Sequence, residues 1–141
     1  MTEDGQHEAR TDSTWHERLA TALRAGTALN LEGPAPDSHQ GWTERNTIPA
    51  STLRAFLVDQ HEGFDPHGLQ IRGGRVDGHL DLKNIDLPFA LILRRCRLDT
   101  ITLDQGTTRS LSVSGSVLTR LTAVGARIDG QLSLIDATLT N

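Results

Sequence analysis

The sequence predicts a β-solenoid over residues 69–141, because apolar residues return there at nearly constant intervals of five residues. Thirteen steps separate fourteen central positions; ten steps are five residues long and three are six. Periods of about 3.6 and about 2 residues, typical of an amphipathic helix and a half-buried strand, do not produce this spacing. A fixed longer repeat is typical of solenoids, whose units bury their apolar faces against neighbouring units. The central positions are Ile71, Val76, Leu82, Leu87, Leu93, Leu98, Leu103, Thr108, Val113, Leu118, Ala123, Ile128, Leu134 and Leu139.

A second column lies two residues before each central position and alternates between large and small side chains. Large aliphatic residues alternate there with Gly, Cys, Ser or Ala, and Ile85 is the exception. If four units form one turn, large residues stack at two opposite corners and small residues at the other two, which fills an interior of constant width. A two-unit turn would preserve the alternation but enclose too little interior for both columns. The sequence therefore favours four units per turn, with one column formed by Leu69, Leu91, Leu111 and Leu132.

Several five-residue units of this segment match a known repeat consensus: a small residue, Asp or Asn, Leu or Phe, a polar residue, and often Gly. The best matches are Ala126–Gly130, Leu111–Gly115 and Cys96–Thr100. The segment thus resembles the pentapeptide-repeat proteins, and this resemblance implies a right-handed quadrilateral β-helix. Leucine often replaces the small residue, six-residue steps recur, and a helical segment precedes the repeats, so the chain resembles the degenerate members common in actinobacteria. The ratio of thirteen Arg to one Lys agrees with that source.

Three regions are expected along the chain. Residues 1–12 are polar and are predicted to form a disordered tail. Residues 13–68 are predicted to form a helical N-terminal cap with loops, and residues 69–141 about 3.5 coils of the β-helix. One helix is expected from Trp15 to about Ala25, behind a capping box of Thr14 and Glu17.

The second expected helix begins near Thr47, has Pro49 in its first turn and runs to about Asp59. Ala28–Leu31 is expected to form a short strand that joins the first coil. The two helices are expected to cover the N-terminal end of the solenoid, because open strand edges invite aggregation. No helix is predicted to cover the other end, at Leu139, so two interpretations stay open: the natural protein continues, or another copy of the chain covers this end.

Charge and cysteine content limit the class of protein. The net charge is −4, with 11 acidic and 5 basic side chains in residues 1–68, and 7 acidic and 9 basic in residues 69–141. The single cysteine excludes an internal disulfide and fits a reducing compartment. The sequence shows no signal-peptide pattern and no apolar stretch of about 18 residues. We therefore expect a cytoplasmic protein without a membrane partner.

The residues that could carry chemistry do not form a recognised catalytic or metal-binding pattern. His61, Asp65 and His67 lie in a loop and match no standard spacing of metal ligands. Cys96 belongs to an inward column and is expected to be an inert core thiol. No phosphate-binding glycine motif occurs, and the repeat explains the glycines as turn residues. The sequence predicts no enzyme, no cofactor and no metal.

One surface feature suggests binding. Four-unit turns place five arginines around one edge of the first two coils, on two adjacent faces and the corner between them. We call this group the arginine edge: Arg72, Arg75, Arg94, Arg95 and Arg97. Arginine favours bidentate contacts with carboxylates, so an acidic protein partner is one hypothesis. The other hypothesis is local pairing with Asp77 and Asp99. Nucleic acid is not expected as a partner, because aromatic residues are few and the chain is acidic.

The leading functional prediction is a non-enzymatic protein-binding or scaffold module. The resemblance also implies an alternative, a DNA mimic that inhibits or protects DNA gyrase, but such a mimic needs strong negative potential along its length. The repeat segment carries +2 and would be only about 17 Å long, at about 4.8 Å per coil. A third alternative is the N-terminal fragment of a longer repeat protein.

Overall fold

The computed structural model describes residues 3–59 and 61–139, which form two helices and a series of short strands. In chain order the elements are α1 (Glu3–Ala25), β1 (Ala28–Asn30), β2 (Thr47–Pro49), α2 (Ala50–Val58), β3 (Leu69–Arg72), β4 (Arg75–Asp77), β5 (Leu80–Asp81), β6 (Asp86–Leu87), β7 (Leu91–Arg94), β8 (Thr100–Thr102), β9 (Thr107–Thr108), β10 (Leu111–Ser112), β11 (Val117–Leu118), β12 (Arg120–Thr122), β13 (Arg127–Ile128), β14 (Leu132–Ser133) and β15 (Thr138–Leu139).

The strands form a four-sided β-solenoid of about three turns, which confirms the predicted fold class. The first face stacks β1, β3, β7, β10 and β14 in parallel. The second face stacks β2 on β4 and β11 on β15, and Arg97 bridges β4 to β11. The third face contains β5, β8 and β12, and the fourth contains β6, β9 and β13.

The strand register confirms the predicted four-unit turn. Leu69 pairs with Leu91, Leu91 with Leu111, and Leu111 with Leu132. On the third face, Ile101 pairs with both Leu80 and Leu121. The interior is therefore built from columns of stacked aliphatic side chains, and the repeat spacing places each member of a column one coil above the next.

In the interior columns of small side chains, the buried hydroxyl of Ser116 makes its hydrogen bonds inside the protein. Ser116 Oγ donates to the carbonyl oxygen of Leu93 (2.9 Å) and accepts a hydrogen bond from the backbone N–H of Cys96 (3.0 Å). Both Ser116 and Cys96 are buried. A buried hydroxyl is tolerated when its hydrogen bonds are made inside the protein. Small residues at these corners therefore leave room for large ones opposite and tie adjacent coils together.

The two helices cover the N-terminal end of the solenoid, as expected. Helix α1 packs against α2, β1 and β3, and α2 packs against β2 and the first-coil strands β4, β5 and β6. Their buried apolar faces join the solenoid core. Amphipathic helices cover a solenoid end because they bury its last side chains and carry no open strand edge. The buried cap residues include Trp15, Leu19, Leu23, Leu53, Phe56 and Leu57.

Helix α1 is longer than the sequence predicted. It begins at Glu3, so the predicted disordered tail is helical from residue 3, and residues 1 and 2 lie outside the described residues. The proposed capping box at Thr14 and Glu17 is therefore wrong, since both residues lie inside the helix. Adding residues to an existing helix costs little free energy once part of that helix is packed against the core. No proline interrupts the chain before Pro34, so α1 extends back to Glu3.

The prediction for the second helix was partly wrong. Thr47–Pro49 forms the strand β2, paired with Arg75–Asp77, and α2 begins only at Ala50. Pro49 is the N-cap residue and has an extended backbone, with ψ at 137°. Backbone hydrogen bonds to the first coil outweigh the helical tendency of this short segment. Strands β1 and β2 therefore add two sides of an incomplete turn before residue 69.

Candidate functional site: the arginine edge

The solenoid brings the five arginines of the predicted edge together. Arg72 pairs in register with Arg94 at the end of the first face. Arg75 and Arg97 form a bridge on the second face. Arg95 lies at the corner between these faces, with a φ of 52°. Adjacent coils lie about 4.8 Å apart. Positive side chains therefore lie next to each other on the first and second faces.

Arg75 and Arg97 have partners inside the protein. Arg75 Nη2 lies 3.2 Å from Asp77 Oδ1, in an ion pair exposed to solvent. Arg97 Nη1 donates to the carbonyl oxygens of Pro36 (3.1 Å) and Ser38 (3.4 Å). Arg97 therefore holds the loop of residues 33–41 against the second coil, a contact that spans about sixty residues of sequence.

The other three arginines are exposed on the outer surface. Within residues 3–59 and 61–139, no ion pair or hydrogen bond engages the guanidinium groups of Arg72, Arg94 and Arg95. We call these residues the arginine triad. Gly115 lies beside Arg95 and has a φ of 67°; a Cβ there would lie 3.4 Å from Arg95 Cγ. That distance is an ordinary van der Waals contact, so the positive φ is what favours glycine at this corner.

A group of serine hydroxyls continues the same face beyond the triad. Ser112 Oγ lies 2.8 Å from Ser114 Oγ, and Ser114 Oγ lies 3.1 Å from Ser133 Oγ. The β-ladder aligns Ser112 with Ser133. Ser114 lies next to Arg94 in the following coil, because the backbone N–H of Arg95 donates to the Ser114 carbonyl oxygen. The sequence analysis did not identify this group of serines. The five-residue register already contained the signal that Ser114 extends the row of Arg72 and Arg94, while Ser112 and Ser133 extend the neighbouring row of Gln70 and Ile92.

The histidine-rich loop is not arranged as a metal centre. His67 Nδ1 lies 2.6 Å from Asp65 Oδ1, and the hydrogen bond from the His67 backbone N–H lowers the pKa of Asp65 most. His61 Nε2–H donates instead to the Phe56 carbonyl oxygen at 2.6 Å. Across the described parts of the chain, no three His, Cys, Asp or Glu residues are placed to hold a metal ion.

Cys96 is an interior thiol, as the repeat predicted. Its Sγ lies 3.3 Å from the Arg94 carbonyl oxygen, and the residue is buried. Burial raises the pKa of Cys96 to about 11, since a thiolate is poorly solvated in this interior. Because the thiolate is the reactive form, the thiol stays protonated and unreactive at neutral pH.

On the third and fourth faces, the rows of outward side chains defined by strand pairing do not repeat a carboxylate from coil to coil. Strand pairing defines two such rows: Asp81, Thr102 and Thr122 on the third face, and Asp86, Thr107 and Arg127 on the fourth. A surface that imitates nucleic acid needs negative charge repeated along its length. These two rows each contain a single carboxylate and therefore lack that repetition.

No protein-family model, curated protein or solved structure matches this chain. Neither α1 nor α2, as described, contains a stretch that is both long and apolar enough to cross a membrane.

Proposed function

We propose that this protein is a non-enzymatic binding or scaffold module whose arginine triad holds an acidic segment of a partner protein. The observation that carries the proposal is the exposure of Arg72, Arg94 and Arg95 side by side, without a carboxylate partner among the described residues. Clustered cations repel one another, and a bound anion relieves this repulsion. The remaining arginines of the edge are engaged by Asp77 and by the loop of residues 33–41.

The chemistry of guanidinium favours carboxylates as the ligand. Each guanidinium presents a planar set of donors that can hold one carboxylate through two parallel hydrogen bonds. Arg72 and Arg94 occupy paired positions on adjacent strands, so an extended acidic segment crossing the coils could engage both. The hydroxyls of Ser112, Ser114 and Ser133 add neutral donors further along the same face.

The DNA-mimic hypothesis receives less support. The triad is basic, and the carboxylate rows on the third and fourth faces are interrupted by threonine or arginine. We further propose that the chain is of the pentapeptide-repeat type, which its four-sided solenoid with five-residue units supports. A single buried cysteine supports a cytoplasmic location, where thiols stay reduced.

The proposal is tested by comparing the wild-type chain with an Arg72→Glu/Arg94→Glu variant. Both are immobilised and exposed to extract of the source cell, and bound proteins are identified by mass spectrometry. Both are also titrated with a fluorescent hexaglutamate peptide. We expect the variant to lose the partner and to weaken peptide binding at least about tenfold, since each hydrogen bond to a charged group contributes about 1.5–3 kcal/mol.

The matched control is Lys83→Glu/Arg109→Glu, which changes the net charge equally at two exposed positions outside the triad. It should bind like the wild type. Equal losses of binding in the two variants would show that the overall charge of the protein causes the effect, and this would contradict the proposal. Recovery of gyrase subunits with all three proteins would favour the DNA mimic instead.

A further inference from the structure

The first face of the solenoid carries two parallel rows of outward side chains. Arg72 pairs in register with Arg94. Ser114 follows Arg94 in the next coil, because the backbone N–H of Arg95 donates to the Ser114 carbonyl oxygen. The second row lies two residues earlier in each strand and contains Gln70, Ile92 and Ser112. The face therefore presents a basic row beside an uncharged row.

We propose that the acidic segment held by the arginine triad is an amphipathic α-helix of the partner protein, which lies across the coils along the solenoid axis. This inference rests on the function proposed above and adds the conformation of the partner segment and the spacing of its carboxylates. The match between the coil spacing and the helical repeat carries it.

The distance between coils distinguishes a helical partner from an extended one. Adjacent coils lie about 4.8 Å apart, so Arg94 lies one such step from Arg72, and Ser114 lies two steps away, at about 9.6 Å. Helix positions i+3 and i+7 lie about 4.5 and about 10.5 Å along the axis from position i. In an extended chain, side chains on one side lie about 6.8 and about 13.6 Å away. An extended segment can meet two arginines but runs out of step by the third contact, whereas a helix stays in step.

The triad also matches the arrangement of carboxylates on one helical turn. Arg94 and Arg95 are consecutive residues of the same coil, at the end of β7 and at the corner that follows. Helix positions i+3 and i+4 likewise share one turn, about 4.5 and about 6 Å beyond position i. A carboxylate at position i then meets Arg72, and carboxylates at i+3 and i+4 meet Arg94 and Arg95. A polar residue at i+7 reaches the hydroxyl of Ser114.

The uncharged row determines what lies beside the carboxylates. It is about 6.6 Å from the basic row, and a helix with its side chains is about 10 Å wide, so one helix covers both rows. Gln70 Nε2 donates to the Gly26 carbonyl oxygen, so its amide is already engaged. Ile92 is partly buried and offers apolar surface beside Arg94. The expected partner helix therefore carries an apolar residue next to its acidic stripe.

The test is a fluorescence anisotropy titration of the complete 141-residue chain with three labelled peptides of about 18 residues, long enough to form a helix. The first peptide has an alanine–glutamine background, Glu at i, i+3 and i+4, and one leucine beside this stripe. The second has the same composition with Glu at i, i+2 and i+4. The third is the first with a central proline, which breaks the helix.

We expect the first peptide to bind at least about tenfold more tightly than the other two, because they lose a carboxylate contact or the helix itself. Circular dichroism of the mixture should show that this peptide gains helical content on binding. Equal affinities for the three peptides, tighter binding of the second or third, or binding without a gain of helix would overturn the proposal.

The matched protein variant is Ile92→Ser, which leaves the charge of the face unchanged. It should weaken the first peptide about three- to tenfold and leave hexaglutamate binding unchanged, since hexaglutamate has no apolar side chain. An unchanged affinity for the first peptide would contradict the amphipathic partner. Circular dichroism checks that the variant is folded.

The Arg72→Glu/Arg94→Glu variant separates this inference from the function on which it rests. If the three peptides bind the wild type equally and all bind this variant less tightly, the helical partner is excluded and the acidic partner stands. If every peptide binds this variant as tightly as the wild type, both proposals fail.

Discussion

The two ends of this solenoid are built from the same repeat but differ in how their side chains are covered. At the N-terminal end, α1 and α2 bury the first coil, and residues such as Leu53 and Phe56 are almost inaccessible. At the other end, Leu134 and Leu139 are largely exposed although they occupy the same repeat positions as fully buried residues. The difference teaches that a repeat position does not bury a side chain by itself. Burial requires a layer on each side.

The largest expected effect comes from a charge in the middle of the stack, where both neighbouring layers are present. Leu111 is 1% exposed and pairs with Leu91 and Leu132. Leu111→Asp should destabilise the fold by more than about 4 kcal/mol, because it buries an unpaired carboxylate. Thermal unfolding followed by circular dichroism should show loss of the folded state. An unchanged melting temperature would contradict the assigned register.

A pair of equal truncations measures the contrast between the two ends directly. Leu53→Ala, in the cap, should reduce the free energy of unfolding by about 2–5 kcal/mol, because it leaves a cavity in a closed core. Leu139→Ala, in the last described coil, should cost less than about 1 kcal/mol, because this side chain is 64% exposed.

The measurement is urea unfolding of each variant beside the wild type, which gives the two losses of unfolding free energy directly. Similar losses for both substitutions would show that the side chain of Leu139 is not exposed.

The smallest expected effect concerns acid sensitivity at the capped end. The Asp65 carboxylate accepts hydrogen bonds from His67, and the Asp65 backbone N–H donates to the Leu23 carbonyl at the end of α1. The pKa of Asp65 is therefore lowered in the folded state. A lowered pKa adds stability that is fully present above the unfolded-state pKa of about 3.9 and is lost as pH falls through the folded-state value.

Asp65→Asn should consequently lower the melting temperature slightly at neutral pH, and the difference from wild type should shrink as pH falls through the lowered folded-state pKa of Asp65. Thermal unfolding across pH checks this, with Asp99→Asn as a control at an exposed carboxylate of the second coil. A difference that persists unchanged in acid would mean that the substitution acts through something other than this carboxylate.

The arginine edge shows where sequence reasoning was sufficient and where it was not. The five-residue spacing placed Arg72 beside Arg94 and Arg75 beside Arg97, and the strand pairing confirms both neighbours. The spacing could not tell which guanidiniums remain available. Arg97 is engaged by carbonyl oxygens of Pro36 and Ser38, which are remote in sequence and reach it only because the loop folds back.

The sequence by itself determined the solenoid, its four-unit turn and its interior columns, because the repeat dictates which residues stack and stacking is a local, nearest-neighbour effect. Tertiary structure alone decided where β2 replaces a helical turn at Thr47–Pro49 and which arginines are engaged. It also decided which leucines are buried. These outcomes depend on contacts between segments that the repeat does not relate, and no local pattern encodes such contacts.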